Sequence, residues 1–425
     1  MYLLDNPLRP YAWGSVTAIA DLLGREPSGS PEAELWIGAH PASPSVAMLP
    51  DGTRTPLDQL IAADSRAALG GAGSRSGDRL PFLLKVLAAE SALSLQVHPS
   101  LEQAAAGYDA EEAAGVPVDA AHRNYKDRSH KPEMLFALTR FDALCGFRPL
   151  EESAAVFGFL AGLCEPGSEE AGLLGTVATD LGSGAPAALR NAFEALLSAG
   201  VGIVAAVEAA VAFPREIEPI DRDFAGYFTD AAATVAELGS QYPGDAGVLV
   251  ALLLNRVSLQ PGDVIHLPAG HIHAYLSGLA IEVMASSDNV LRGGLTSKHV
   301  DVPELLRTVI FEPLALPSVP AATNLLDQEL YLPPYEEFQL QRIVVHHGGD
   351  PVPLAQNGPA VVLVVSGSVR LDSPKSDLSL ERGQSGFLPD IEQPVLVHPV
   401  QGAGSPAVLF AVTCGTPSGT EGVRR

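Results

Sequence analysis

The stretch GDVIHLPAGHIHAYLS, Gly262–Ser277, holds two turns and two unlike strands in sixteen residues. After the turn at Gly262 comes the short run Val264-Ile265-His266-Leu267, which Pro268 stops. Pro268 and Gly270 then shape a second turn and aim the segment that follows. From His271 onward, His271, His273, Tyr275 and Ser277 alternate with Ile272, Ala274 and Leu276. In a strand, that period of two gathers the polar side chains on one face and the aliphatic ones on the other. His271 and His273 share the polar face, so position alone does not choose between them.

Upstream, LSLQVHPS (Leu93–Ser100) repeats the rhythm: Leu93, Leu95 and Val97 alternate with Ser94, Gln96 and His98 until Pro99. Alone, it would pass for a half-buried strand with its polar face in water. SHKPEM (Ser129–Met134) adds Glu133, with Lys131 beside it. The spacing Gly262, Pro268, Gly270, His273 resembles the second motif of the cupins, small jelly-roll barrels that commonly hold a metal in the mouth. That motif selects His273; its usual asparagine is Ser277 here. Gln96–His98 fits the slot of the first cupin motif, with Gln in place of the first His, and the acid then comes from Glu133. Two imidazole nitrogens and two side-chain oxygens suit zinc and, without thiolates, other divalent ions.

Around these motifs the chain changes texture. Up to about residue 150, short apolar runs cut by Gly, Pro and Asp predict strands and loops. From Glu151 to about Tyr242, Ala- and Leu-rich segments with helical spacing predict a helical insertion. Strand texture then returns. The expected architecture is mainly β with an α insertion: two cupin-type jelly-roll barrels in tandem plus a helical domain. The divisions are 1–150 with 246–320 for the metal-bearing domain, 151–245 for the insertion, and 321–425 for a degenerate second barrel. A weak internal repeat supports the pair, since RGQSGFLPDIEQPV matches PGDVIHLPAGHIHAY with Pro394 opposite His273. The tail SGTEGVRR is expected to be mobile.

The chain has 425 residues, 47% hydrophobic and 18% charged, which is globular. A formal charge of −24 argues against nucleic acid as a partner. Residues 151–250 hold three basic residues against fifteen acidic ones, half of that excess. Residues 85–148, by contrast, hold Lys85, Arg123, Lys126, Arg128, Lys131, Arg140 and Arg148, enough to make a local site for a small anion. No apolar run is long enough to span a membrane, and the N-terminus does not read as a signal peptide. Three scattered cysteines, Cys145, Cys164 and Cys414, suit a reducing cytoplasm.

The ordered blocks YAWGS, ELWIGAHPASPS, PFLLKVLAAESALSLQVHPS, NYKDRSHKPEM and PAGHIHAYLSGLAIEVMASSDNVLRGGLTSKHVDV are similar to those of the type I phosphomannose isomerases. The resemblance covers residues 1–150 and 250–310 well and the remainder by general plan. It implies one zinc held by Gln96, His98, Glu133 and His273, with Arg292 as the active-site arginine. It implies a small phosphosugar as substrate and a monomer. The implied reaction moves a proton between C2 and C1 of a sugar 6-phosphate through a cis-enediol. Arg292 and Lys131 are then the candidates to stabilise its developing charge. Glu282 is either the base or a group that orients a ligand or pairs with Arg292, and Tyr275 is expected at a sugar hydroxyl. Arg292, Lys298, Ser94 and, further off, Lys85 are expected at the phosphate. Rival readings are an isomerase of another phosphosugar such as glucose 6-phosphate, a non-catalytic sugar-phosphate-binding cupin, and an iron-dependent oxygenase.

Overall fold

The computed structural model describes residues 1–200, 202–212, 225–323, 328–400 and 406–415. The expected mobile tail at 418–425, and Arg215 and Arg222 of the insertion, lie outside the described residues. The chain folds into β-sheets with helices set against one of them, and the long strand His273–Ala285 organises the half that concerns function. Its second part runs antiparallel between Phe82–Ala89 and Glu133–Ala137, and its first part between Leu95–Val97 and Phe141–Phe147. One strand therefore belongs to two sheets, with Gly278 at the bend between them. Gly278 has φ +129°, and a Cβ there would stand 2.7 Å from the Arg140 carbonyl oxygen. Only glycine serves at that position.

Alternation then sorts side chains to opposite surfaces. Leu84, Val86, Ala88, Met134, Phe136, Ile281 and Val283 face the C-terminal part of the chain, where Leu340, Val361, Phe387 and Phe410 meet them. Leu87, Ala89, Leu135, Ala137 and Ala280 point the other way and join Phe141, Ala143, Cys145 and Tyr275 in a core between the two sheets. A strand covered on both faces reads as a continuous apolar run, and every residue of Phe82–Ala89 is buried. Lys85, Glu133 and Glu282 interrupt that apolar text on the inner face.

Helices Leu150–Leu163, Glu169–Gly182, Ala188–Ser198, Gly202–Val211 and Ala225–Gln241 make up the described part of the insertion. They pack through Phe157, Leu160, Val177, Phe193 and their neighbours onto Leu95, Val97, Ile272, Ala274 and Leu276. Those last five are the aliphatic halves of the two alternating stretches. The helices therefore cover the backs of the strands, and the polar halves face inward. No single helix among the described residues is long and apolar enough to cross a membrane.

The C-terminal part is a nine-stranded sheet facing the four-stranded sheet of Val352–Pro353, Leu396–Pro399, Ser368–Asp372 and Asp377–Glu381. Ile343, Val362, Val364 and Leu409 on one side meet Val369, Leu371 and Leu380 on the other. Three strands of the nine come from the N-terminal region: Tyr2–Asp5, Val46–Met48 and Arg54–Pro56. Residues 1–150 thus do not all build the metal-bearing half, a departure from the boundary read off texture. Leu3 pairs with Gly386, and local sequence carries no signal for a partner that distant. The two similar segments both form a short strand ended by Leu-Pro, Val264–Leu267 and Ser385–Leu388. Beyond that point one opens the thirteen-residue strand at His273, whereas the other makes the short turn Asp390–Glu392.

Candidate metal centre

Gln96 lies directly across from His273 on one side and from Arg292 on the other. Opposed residues of antiparallel strands present their side chains to the same face within about 4.5–5.5 Å at Cβ. His98, two residues on, shares that face and closes the strand. Behind it, Ser100 and Gln103 form a capping box that starts helix Leu101–Ala113 and fixes the chain's exit. The Gly270 N–H donates to the His98 carbonyl at 2.8 Å, tying the second turn of the opening stretch to this point. Gly270 has φ +79°, and a Cβ would stand 2.7 Å from Ile310.

His98, Glu133 and His273 converge, with one potential ligand atom from each lying within 4.8 Å of the others. Both imidazoles are oriented from behind: His98 Nδ1 is 2.7 Å from the Asn289 carbonyl oxygen, and His273 Nδ1 is 3.1 Å from that of His271. A proton on Nδ1 donates to that carbonyl and leaves the Nε2 lone pair free. The two Nε2 atoms each sit 3.4 Å from a different oxygen of Glu133. All three residues are buried, and among the described residues His98 Nε2 has no hydrogen-bond partner. Burial pushes the His98 pKa down to about 4, and the Lys131 ammonium adds to the effect. Burial alone would raise the Glu133 carboxyl, but Lys131 and His98 outweigh it and hold its pKa well below the usual carboxylate range. Neutral imidazoles and an ionised carboxylate are the forms that bind a cation. An orphaned buried lone pair aimed at the centroid is what a metal would satisfy, so the donor set fits a divalent ion.

In front of this cluster opens a cleft of about 350 Å³. Gln96, Ser94, Lys85, Lys131, Arg292 and Lys298 all line it. Lys131 Nζ is 2.7 Å from Glu133, and Lys85 Nζ is 2.9 Å from Glu282 and 3.7 Å from Glu34. Burial disfavours the Lys85 ammonium, yet Glu282, Glu34 and Glu133 overcome that and raise its pKa above the ordinary lysine value. Arg292 and Lys298 differ. Among the described residues neither has a carboxylate partner, and burial lowers both pKa values, with Arg292 also repelling Lys298. Two cations without an anion at one end of a cleft make an anion site.

Two placements depart from expectation. Tyr275 does share a face with His273, their rings 6.1 Å apart, but it points into the inter-sheet core against Phe141 rather than into the cleft. Burial and the neighbouring Glu282 push its hydroxyl well above the ordinary tyrosine range. Glu282 is buried behind Lys85 and pairs with it, not with Arg292. Burial raises the Glu282 pKa, and repulsion by Glu133 adds to that against the pull of Lys85. Sequence reasoning gave no role to Tyr11, Trp13, Trp36, Glu34 and Asp288, which line the cleft as well. Trp36 lies under Lys85 with its ring centroid 5.4 Å from Nζ and donates its indole N–H to Glu34 at 2.6 Å. The signal was available in part: ELWIG places Trp36 in the strand directly opposite Lys85, and YAWGS places Tyr11 and Trp13 in the turn before it.

A buried two-His, one-carboxylate cluster beside a cation-rimmed polar cleft defines the class: a donor set that could hold a metal ion, next to a cleft with the charge to take a small anion. Comparison with known proteins makes this specific. The signature "Phosphomannose isomerase type I, catalytic domain" matches residues 1–150. The mannose-6-phosphate isomerase of Escherichia coli (strain K12) is 38% identical over 415 residues, covering 93% of this chain and 97% of that one. The enzyme of Rattus norvegicus is 33% identical, covering 91% and 93%. A crystal structure of a variant phosphomannose isomerase from Salmonella typhimurium superposes with a TM-score of 0.85 at 33% identity, covering 98% of this chain and all of that one. A zinc-bound mannose 6-phosphate isomerase superposes with a TM-score of 0.84. The chain belongs to the type I phosphomannose isomerase family.

Proposed function

We infer that the protein interconverts D-mannose 6-phosphate and D-fructose 6-phosphate. The observation that carries this reading is a cleft lined at once by Gln96 and Lys131, which adjoin the His98–Glu133–His273 cluster, and by Arg292 and Lys298, which have no carboxylate partner among the described residues. An aldose 6-phosphate has a dianion at one end and a C1 carbonyl at the other, and a cleft of this volume accommodates one such molecule. We assign Gln96, His98, Glu133 and His273 as ligands of zinc, the ion named in a relative's structure. When bound, zinc supplies Lewis-acid stabilisation of the negative charge that develops on the sugar oxygens as the C2 proton leaves.

The chain's own groups bind and orient the sugar. Arg292 and Lys298, with the Ser94 hydroxyl, take the phosphate and so fix which carbons reach the centre. Arg292 stands one strand from Gln96, near enough to add electrostatic stabilisation to the enediolate. Lys131 and Lys85 donate N–H hydrogen bonds to sugar oxygens from positions held by Glu133 and Glu282. Glu282 acts through Lys85 as a positioning residue. Tyr275 supports the His273 ring from the core side.

Two tandem cupin barrels, the second completed by the N-terminal strands Tyr2–Asp5, Val46–Met48 and Arg54–Pro56, are consistent with two sandwiches sharing the strand-Leu-Pro feature. A monomer in the cytoplasm completes the proposal, and gel filtration tests its oligomeric part. Metal analysis of the purified protein, with turnover measured on mannose 6-phosphate and glucose 6-phosphate, tests the whole. Bound zinc with turnover of the mannose sugar alone is expected. Turnover of the glucose sugar only, or none in zinc-loaded protein, overturns it.

A further inference from the structure

Asp245 lies in the short link between the last helix of the insertion and the return to strand, outside the cleft, yet its carboxylate is bound to the cleft's rim. Oδ1 accepts the backbone N–H of Gly247 at 2.7 Å and of Leu295 at 3.0 Å, and Oδ2 accepts that of Thr296 at 3.2 Å. Leu295 and Thr296 lead directly into Ser297 and Lys298, and Leu295, Thr296, Ser297 and Lys298 all line the cleft. The loop has an unusual backbone. Gly294 has φ +131°, and Leu295, which has a Cβ, has φ +54°. A left-handed non-glycine residue persists only where its surroundings impose it. The Asp245 carboxylate collects two successive N–H donors of this turn.

Close packing makes the contact available. Gly247 and Gly294 meet backbone to backbone, and a Cβ on Gly294 would stand 2.6 Å from the Gly247 Cα. The same link also grips the opposite wall. Tyr242 donates its hydroxyl to the Ala92 carbonyl at 2.6 Å, and Gln241 accepts the Ala92 N–H at 2.8 Å, two residues before Ser94. Ser94 and Lys298, the two ends of the assigned phosphate site, are thus both set by residues 241–245 of the insertion.

We propose that Asp245 is a positioning residue for substrate phosphate: its carboxylate holds the Gly294–Lys298 turn in the left-handed form that presents Thr296, Ser297 and Lys298 to the anion. This rests on the phosphate assignment made above. Without the carboxylate, Leu295 relaxes toward negative φ and the donors after it turn from the cleft. The metal cluster is expected to stay in place, because the Asp245 contacts fall on Leu295 and Thr296, beyond the ladder that pairs Leu291, Arg292 and Gly294 with the strand Leu95–Val97.

The test compares wild type, Asp245→Asn and Asp245→Ala as zinc-loaded full-length proteins. Both tryptophans of the chain, Trp13 and Trp36, line the cleft, so intrinsic fluorescence reports inorganic phosphate binding without any turnover. Asp245→Ala is expected to raise the phosphate Kd and the KM for mannose 6-phosphate together by about tenfold, with kcat and zinc content within about twofold of wild type. Asp245→Asn, which keeps one acceptor oxygen, is expected to fall between. An unchanged KM and Kd overturns the proposal, as does a fall in kcat and zinc content at constant KM. Wild type that fails to bind phosphate also overturns it. Wild type that binds phosphate but turns over no mannose 6-phosphate instead defeats the functional reading, and the Kd series then still decides the role of Asp245.

Discussion

In the metal-bearing half, Lys85, Glu133 and Glu282 break strands that are otherwise apolar and buried, whereas Ile343, Val362, Val364, Leu371 and Leu409 line the C-terminal sandwich. Both halves contain a short strand ended by Leu-Pro, so similar local text serves opposite interiors. Burying an ion costs several kcal/mol even after relaxation. The charges in the first half persist because they are matched, Lys85 to Glu282 at 2.9 Å and Lys131 to Glu133 at 2.7 Å. The second half buries the N-terminal ammonium against Glu392 at 2.7 Å but keeps charge out of its inter-sheet core, and it presents its outer face, through Val361, Phe387 and Phe410, as an apolar support for the charged strands. Chemistry and support are thus segregated into different sheets.

Substitutions sharpen that contrast. Glu133→Ala removes the carboxylate that both Nε2 atoms face and leaves Lys131 unpaired. Activity should fall at least about a thousandfold with metal lost, as read by metal analysis beside the assay. Arg292→Ala should retain full metal while turnover drops about a hundredfold; metal loss there would show that its role has been misassigned. Gln96→Ala should lower metal affinity about 10–100-fold, with activity following metal content. Normal metal and full activity would remove Gln96 from the ligand set. Lys298→Ala should raise KM about tenfold with little change in kcat. Last, Leu371→Ala in the C-terminal core should cost about 2–5 kcal/mol in denaturant unfolding and leave kcat unchanged. A matching loss of kcat would break the segregation of support from chemistry.

Much of the site was legible because a strand's period of two states which side chains travel together. Gln96 with His98, and His273 with its motif spacing, were placed on common faces by sequence alone, and the ordered blocks supplied Glu133 and Arg292. Periodicity does not say how far along a shared face the opening lies. Tyr275 is on the face of His273, yet it is one step deeper and reaches the core. Sequence leaves Glu282 as the base, as a group that orients a ligand or as a partner of Arg292, whereas its cross-strand neighbour is Lys85, a pairing set by register across 197 positions. Asp245 lay in a segment that composition assigned to the helical insertion. Its importance comes from a glycine-to-glycine approach that no local pattern announces.

The pairing of Leu3 with Gly386 also bears on how the chain is made. The strand Tyr2–Asp5 is synthesised some 380 positions before the strand that completes its ladder. At about 5–20 residues per second, that edge waits on the order of tens of seconds without its partner. An unpaired strand edge is a template for association with other chains. Asp5 ends this strand with a charge and Pro7 stops it two residues on, features that discourage such pairing until the C-terminal sheet has emerged. Closure of the nine-stranded sheet is therefore a late event in biogenesis, and it joins the two ends of the described chain in one cooperative unit.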